Sequence, residues 1–212
     1  MEKSKLFLIG GGGHCQSVIE SIERTNSFII EGISDVASKI GEYVLDYKIS
    51  ATDETIQHLG INDLLFLITI GQIKTTEPRK KAYNFLKSNN QQLATIIDPG
   101  SIVSKRAIIG EGTVILRNSF INAGVEIGVN CIVNTGAIIE HDSKIGRHVH
   151  ISTGAIVNGD CVIGDESFIG SGAVISNGIT IVAGTLVGAG TVVLQNINEP
   201  GTYLGNPAKR IK

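Results

Sequence analysis

Three histidines stand close together in the chain, His141, His148 and His150, and the first lies between Glu140 and Asp142. An imidazole titrates near neutrality, so one flanked by carboxylates is suited to take a proton from a reacting group and pass it on. A different kind of cluster opens the chain, Gly10-Gly11-Gly12-Gly13-His14, with Asp35 about 20 residues beyond the glycines. A glycine loop between a strand and a helix offers backbone N–H groups and the positive end of the helix to a phosphate. The spacing departs from G-x-G-x-x-G, because Cys15 or Gln16 fills the place of the third glycine. The two clusters therefore predict proton transfer at one place and a phosphate-bearing ligand at another.

Three histidines can also hold zinc, as in a γ-type carbonic anhydrase, so that alternative stays open from the residues alone. The cysteines, Cys15, Cys131 and Cys161, are too few and too scattered for a disulfide framework or a thiolate metal site. A net charge of −2 without an arginine-rich face gives no attraction to nucleic acid. No apolar run nears the roughly 20 residues a membrane span needs, and no leader pattern opens the chain. A cytoplasmic protein without membrane or nucleic-acid partners is expected. With 26 glycines and no tryptophan, many tight stacked turns are favoured over a bulky aromatic core.

The elements that position the histidines come from a repeat. Every sixth residue from Ile97 to Val193 is Ile or Val, without exception. Two places before each stands a small or slim residue, such as Ala107, Thr113, Ser119, Cys131 or Ser143; three places after, a glycine or turn-former recurs. Residues two apart on a strand share a face, so the small and the branched residue both point inward. The turn-former then permits a corner. Three such sides close a triangular coil of 18 residues, each coil hydrogen-bonded to the next. A helical period of 3.6 cannot hold Ile and Val at six, and a sandwich would space its turns irregularly. A regular outer array of Thr, as an ice-binding scaffold would need, is missing from the mixed outer columns.

Because the count never slips, residues 18 apart stack. Above and below His141 then lie Ala123 and Gly159, which leaves that ring exposed with space around it for a ligand. His150 falls in an apolar outer column with Ile132, Phe168 and Leu186, which suggests burial against a neighbouring subunit or a coenzyme arm. His148 reads as a solvated surface residue.

In the first half, Lys5–Ile9, Phe28–Ser34 and Leu64–Ile70 read as strands, a helix starts near Cys15 or Gln16, and Arg79–Ser88 reads as a second helix. Alternating strands and helices imply a small parallel α/β domain over 1–96, ahead of an all-β coil over 97–212. Its ligand crevice should lie beyond the strand ends, at Gly11, Gly12, Gly13, His14, Asp35 and Gly71. With fewer than 100 residues before the repeat, a nucleotide sugar suits it better than NAD.

The repeat is similar to that of the hexapeptide-repeat acyltransferases, whose coils wind left-handed, and Gly205-Asn206-Pro207-Ala208-Lys209 resembles their closing segment. The glycine loop, Asn134-Thr135-Gly136-Ala137-Ile138-Ile139-Glu140-His141-Asp142 and His150-Ile151-Ser152-Thr153-Gly154-Ala155 carry a closer resemblance. They look like the bacterial N-acetyltransferases of UDP-, dTDP- and GDP-linked 4-amino sugars, a family that also holds sialic acid O-acetyltransferases. The resemblance implies a Rossmann-like nucleotide-sugar domain, a left-handed parallel β-helix, acetyl-CoA as co-substrate, no metal, and a homotrimer with active sites between subunits. It implies His141 as general base with Asp142 orienting it, where some members carry Glu. It further implies coenzyme contacts at His150, Gly159, Ser171, Gly188, Ala189 and Lys209, and nucleotide-sugar contacts at Gly13, His14 and Asp35. The expected product is an acetamido sugar for surface-glycan synthesis; O-acetylation of a sialic acid is the alternative.

Overall fold

The computed structural model describes residues 3–52, 55, 63–73 and 75–212. The chain divides into two compact units, Met1–Ile96 and Ile97–Lys212.

In the first unit, β1 (Ser4–Ile9) leads through the glycines into α1 (Gly13–Thr25), β2 (Phe28–Ser34), β3 (Tyr43–Val44), β4 (Tyr47–Ala51), β5 (Leu64–Ile68) and α2 (Glu77–Ser88). The sheet order is β3-β4-β2-β1-β5. β1 pairs in parallel with β2 and β5, and β2 with β4, while β3 and β4 form an antiparallel hairpin at the edge. The sheet is therefore mixed rather than wholly parallel. The hairpin escaped sequence reading because its turn carries Leu45 at φ 51°, where a glycine or asparagine would have announced it. α1 begins at Gly13, ahead of the expected Cys15, since Gly12 is its N-cap and the last glycine already has helical geometry. β5 stops at Ile68 rather than Ile70. There Thr69 turns its hydroxyl onto the carbonyls of Ile9 and Gly10 at 3.0 and 2.6 Å, so the strand end is tied back to the glycine loop.

The second unit is a parallel β-solenoid. Its strands are two residues long, and each ladder from Ile102 to Val193 joins residues 18 apart, as Phe120–Ile121 does with Ile102–Val103 and Ile138–Ile139. The inward Ile and Val form one core with the slim residues, Cys131, Ala137, Cys161 and Ala173 among them, all fully buried. Burying each branched side chain contributes about 1.5–3 kcal/mol. The slim polar residues inside are satisfied by carbonyls one coil on: Thr113 donates to Gly128 O at 2.9 Å, Ser119 to Asn134 O at 3.0 Å and Ser143 to Asn158 O at 2.9 Å. Corners fall every sixth residue, and each from Gly112 to Gly190 has a positive φ. A hairpin of Thr202–Leu204 and Lys209–Arg210 closes the last sheet.

Candidate active site

The corner after Ile139 builds the first site. Asp142 occupies the left-handed position at φ 59°, which Asp tolerates better than most residues, and its side chain projects outward. His141 stands just before it, its side chain 57 % exposed, with Nδ1 3.0 Å from Asp142 Oδ2. A carboxylate can only accept, so in the neutral ring this contact puts the proton on Nδ1 and leaves Nε2 with a lone pair. The expected stack is present. Asp142 N–H donates to Ala123 O at 3.1 Å and Asp160 N–H to His141 O at 2.9 Å, so Ala123 and Gly159 lie on either side of the histidine. A Cβ on Gly159 would stand 2.6 Å from His141 Nε2, so only glycine leaves that nitrogen room. Among the described residues no hydrogen bond draws on the Gly159 N–H. The missing side chain of Gly159 thus leaves open space beside Nε2 of His141.

Glu140, on the other side of His141, is turned away and accepts from Asn122 Nδ2 at 2.5 Å, while Asn122 Oδ1 accepts from Ala123 N–H. This pairing was not foreseen; the 18-residue spacing of Asn122 and Glu140 was its signal.

Of the other two histidines, His148 departs from its sequence reading, while His150 is buried as expected but by its own chain. His148 is buried, not solvated, with Nδ1 2.9 Å from Asn130 Nδ2, the residue 18 before it. His150 is only 5 % exposed within a single chain, so its burial does not wait for a neighbouring subunit. Its ring meets Phe168 edge-on at 5.2 Å, and Nε2 lies 3.3 Å from Asn134 Nδ2. Asn134, half-buried, is thus a partner of His150 to which the sequence assigned no role. Among the described residues no three His, Cys, Asp or Glu side chains converge as metal ligands.

The remaining coenzyme candidates divide. Ser171 is exposed and shares a hydrogen bond with Ser152 at 2.9 Å; Ala189 and Lys209 are exposed. Gly188 is buried, its N–H donates to Tyr203 O at 2.9 Å, and a Cβ there would overlap Leu204. Its glycine is explained by the closing hairpin, and its N–H has no capacity left for a coenzyme.

The N-terminal unit holds the second site, a cleft of about 720 Å³ beyond the strand ends. Of the residues expected there, Gly12, Asp35 and Gly71 line it; His14 instead rests against Gly71, whose Cβ position is 3.3 Å from His14 Cβ. The four glycines serve two purposes. Gly10 has φ 103° and lies against Ile70, and Gly11 is crowded by Ile49, Val44 and Asp35, so both are packing glycines. Gly12 and Gly13 have nothing within 4 Å of a Cβ, which leaves the helix N-terminus bare. No acidic residue occupies the first turn of α1. Such an end attracts anions.

Asp35 is mostly spent on the loop itself. Oδ2 accepts from Gly11 N–H at 2.8 Å and from Lys39 Nζ at 3.0 Å, and Oδ1 from Val36 N–H at 2.7 Å. Burial alone would raise this carboxyl, but the donors from Val36, Lys39 and Gly11 outweigh it and hold it below the ordinary carboxylate value. Cys15, buried behind the loop, is pushed up to about 11, chiefly by burial, and is a thiol rather than a nucleophile. The far wall comes from α2, where Pro78, Lys81, Ala82 and Phe85 face the cleft. Buried Arg79 pins this wall by donating to Ile68 O at 2.6 Å and Ile70 O at 3.0 Å. Lys39 and Lys81 were not singled out from the sequence; their i,i+4 relation to Asp35 and Phe85 was the available cue.

A parallel β-solenoid bearing an exposed imidazole, after an α/β unit with an open glycine loop, defines a hexapeptide-repeat transferase. The PglD N-terminal domain matches residues 5–86 and the bacterial transferase hexapeptide (six repeats) matches residues 142–177. The acetyltransferase domain of PglB from Neisseria gonorrhoeae FA1090, solved with acetyl coenzyme A, is 30% identical over 99% of this chain and 100% of that one, at a TM-score of 0.90. A histidine-to-asparagine mutant of perosamine N-acetyltransferase from Caulobacter crescentus, solved with CoA and GDP-perosamine, is 30% identical over 98% of this chain and 97% of that one, at 0.91. The UDP-N-acetylbacillosamine N-acetyltransferase of Bacillus subtilis (strain 168) is 34% identical over 111 residues, about half the length of each protein. The chain belongs to the family of bacterial sugar N-acetyltransferases built from a PglD N-terminal domain and a hexapeptide solenoid, and it is an acetyltransferase.

Proposed function

We propose that this enzyme transfers an acetyl group from acetyl-CoA to the amine of a nucleotide-linked 4-amino-4,6-dideoxy sugar, with His141 as general base. One observation carries the reading: Asp142 holds Nδ1 of His141, and Nε2 opens onto the space that Gly159 leaves. The neutral amine attacks the thioester carbonyl while Nε2 takes its proton, a contribution typically of about 10²–10⁴-fold. Asp142 favours the imidazolium that forms. The Gly159 N–H donates to the oxyanion of the tetrahedral intermediate. Collapse breaks the carbon–sulfur bond, and the imidazolium proton goes to the departing thiolate, giving the amide and free CoA. The changed residue in the perosamine N-acetyltransferase mutant is a histidine, which agrees with this role.

The nucleotide diphosphate lies at the bare N-terminus of α1 in the glycine-loop cleft. His150 acts through Asn134 near the thioester, and Ser171, Ala189 and Lys209 line the coenzyme arm. The active form is a homotrimer, one subunit supplying His141 and the next most of the coenzyme surface. The outward apolar row Ile102, Phe120, Ile138, Ile156, Val174 and Val192 suits such packing. No described helix is long and apolar enough to cross a membrane, which agrees with a cytoplasmic enzyme of glycan synthesis.

The test is a panel of UDP-, dTDP- and GDP-linked 4-amino sugars with acetyl-CoA, following thiol release, beside a measurement of mass in solution. At least one amino sugar should react, and the mass should equal three chains. Reaction of a sialic acid with none of the amino sugars would replace the N-acetyl reading with O-acetylation.

A further inference from the structure

Every sixth residue from Gly112 to Gly190 turns a corner with φ between 54° and 75°, yet the residue that does so varies. Asn118, Asn130 and Asp160 adopt φ of 59°, 54° and 58°, so this solenoid does not need glycine at a corner for backbone reasons. Gly136, Gly154, Gly172 and Gly184 have nothing within 4 Å of a Cβ, so a side chain there would stand in the open. Gly124, at φ 75°, differs from these four. It lies one coil before Asp142, and a Cβ added to it would overlap Asp142 Oδ1. The other oxygen of that carboxylate, Oδ2, is the one 3.0 Å from His141 Nδ1.

We infer that Gly124 is a positioning residue of the active site: its missing Cβ is the space into which Asp142 turns Oδ1 so that Oδ2 reaches His141. This rests on the general-base reading of His141. The two oxygens of a carboxylate are rigidly joined, so anything that displaces Oδ1 swings Oδ2 off the imidazole. The atom displaced is the end of a flexible, exposed side chain, 69 % accessible, so folding loses little while the dyad loses its geometry. Gly124 and Gly159 thus bracket the dyad from adjacent coils, one making room for the carboxylate and the other for the ring.

The discriminating experiment compares Gly124→Asn with Gly184→Asn, a corner of nearly the same φ, 72°, that touches no proposed role. Gly124→Ala and Gly184→Ala repeat it with a smaller side chain, and His141→Asn is run alongside. Both Asn variants should melt within a few degrees of the parent, since Asn is among the residues that tolerate this conformation. Gly124→Asn should lose about tenfold or more in kcat, part of what a positioned base supplies, with KM for acetyl-CoA unchanged. ¹⁵N spectra of the histidine-labelled enzyme should show His141 passing from one tautomer to a mixture in Gly124→Asn alone. Equal kcat in the Gly124 and Gly184 variants, or an unchanged tautomer, would overturn the assignment while leaving the general base in place. An active His141→Asn would instead remove the general base and this inference with it.

Discussion

The solenoid and the N-terminal unit both make a site from glycine, and they do so by opposite means. In the solenoid the backbone is a lattice. An 18-residue coil decides which residues are neighbours, and a glycine acts by what it removes from the adjacent coil, as Gly159 does beside His141. In the N-terminal unit four consecutive glycines act within one loop, two admitting the packing of Ile70, Ile49 and Asp35 and two leaving the end of α1 open. A repeat therefore converts sequence spacing directly into spatial contact. A single loop must be read residue by residue.

The sharpest way to break this comparison is at the dyad. His141→Asn keeps a similar volume and hydrogen-bonding capacity without a ring nitrogen that can take the amine's proton. Its kcat should fall by about 10²–10⁴-fold, with acetyl-CoA affinity within a few fold by calorimetry. Turnover within about fivefold of the parent would mean that the lattice exposes a histidine with no chemical duty.

Next in size is the lattice itself. Ile139 is fully buried in the solenoid core beneath the dyad. Ile139→Ala leaves a cavity between coils that cannot collapse without moving their ladders, and should cost about 2–5 kcal/mol in urea unfolding. Because each coil contacts mainly its neighbours, the loss should appear first in exchange of the amides near 121, 139 and 157. A loss spread evenly over the solenoid would show that its coils melt as one body.

The glycine loop gives a smaller and divided effect. Gly10→Ala forces a side chain into φ 103° against Ile70 and should destabilise the N-terminal unit by about 1–2 kcal/mol or more. Gly12→Ala, in open space, should leave the melting temperature near that of the parent and raise KM for the nucleotide sugar instead. If both variants only destabilise, the loop serves packing throughout and the phosphate lies elsewhere.

Much of the solenoid was legible because its periodicity is a geometric constraint. Once the six-residue count held, the partners of His141, Ala123 and Gly159, followed by addition. What spacing could not convey was which face of a corner something else would cover. His148 reads as solvated and is buried, and His150, expected to be covered by another subunit or a coenzyme, is covered within its own chain, because the repeat says which way a side chain leaves the coil and nothing about what lies against it. The packing of Gly188 was hidden for a related reason: its partner, Leu204, comes from the non-repeating tail. In the N-terminal unit the cleft was found from the strand ends, but the α2 wall, Lys81 and Phe85, was not. Its distance in sequence from the glycine loop carries no register, and only the packed helix brings it there.

The finest distinction concerns Asp35, placed from its sequence position among nucleotide-sugar contacts and found bound to its own loop. Its carboxylate accepts from Gly11, Val36 and Lys39, which holds its pKa below the ordinary value in the folded chain. A group whose folded pKa is depressed stabilises above its unfolded pKa, about 3.9, and that contribution is lost as pH falls through the folded value. Asp35→Asn should therefore lower the stability of the N-terminal unit by about 1–2 kcal/mol at pH 7, since hydrogen bonds to a charged acceptor are lost. The gap between parent and variant should narrow below about pH 4 and close once the parent carboxyl is protonated. Urea midpoints across that range measure it. A gap independent of pH would mean that shape and not charge holds the loop. A variant of parental stability with a raised KM for the nucleotide sugar would return Asp35 to the ligand, and the loop would have to be organised by its glycines alone.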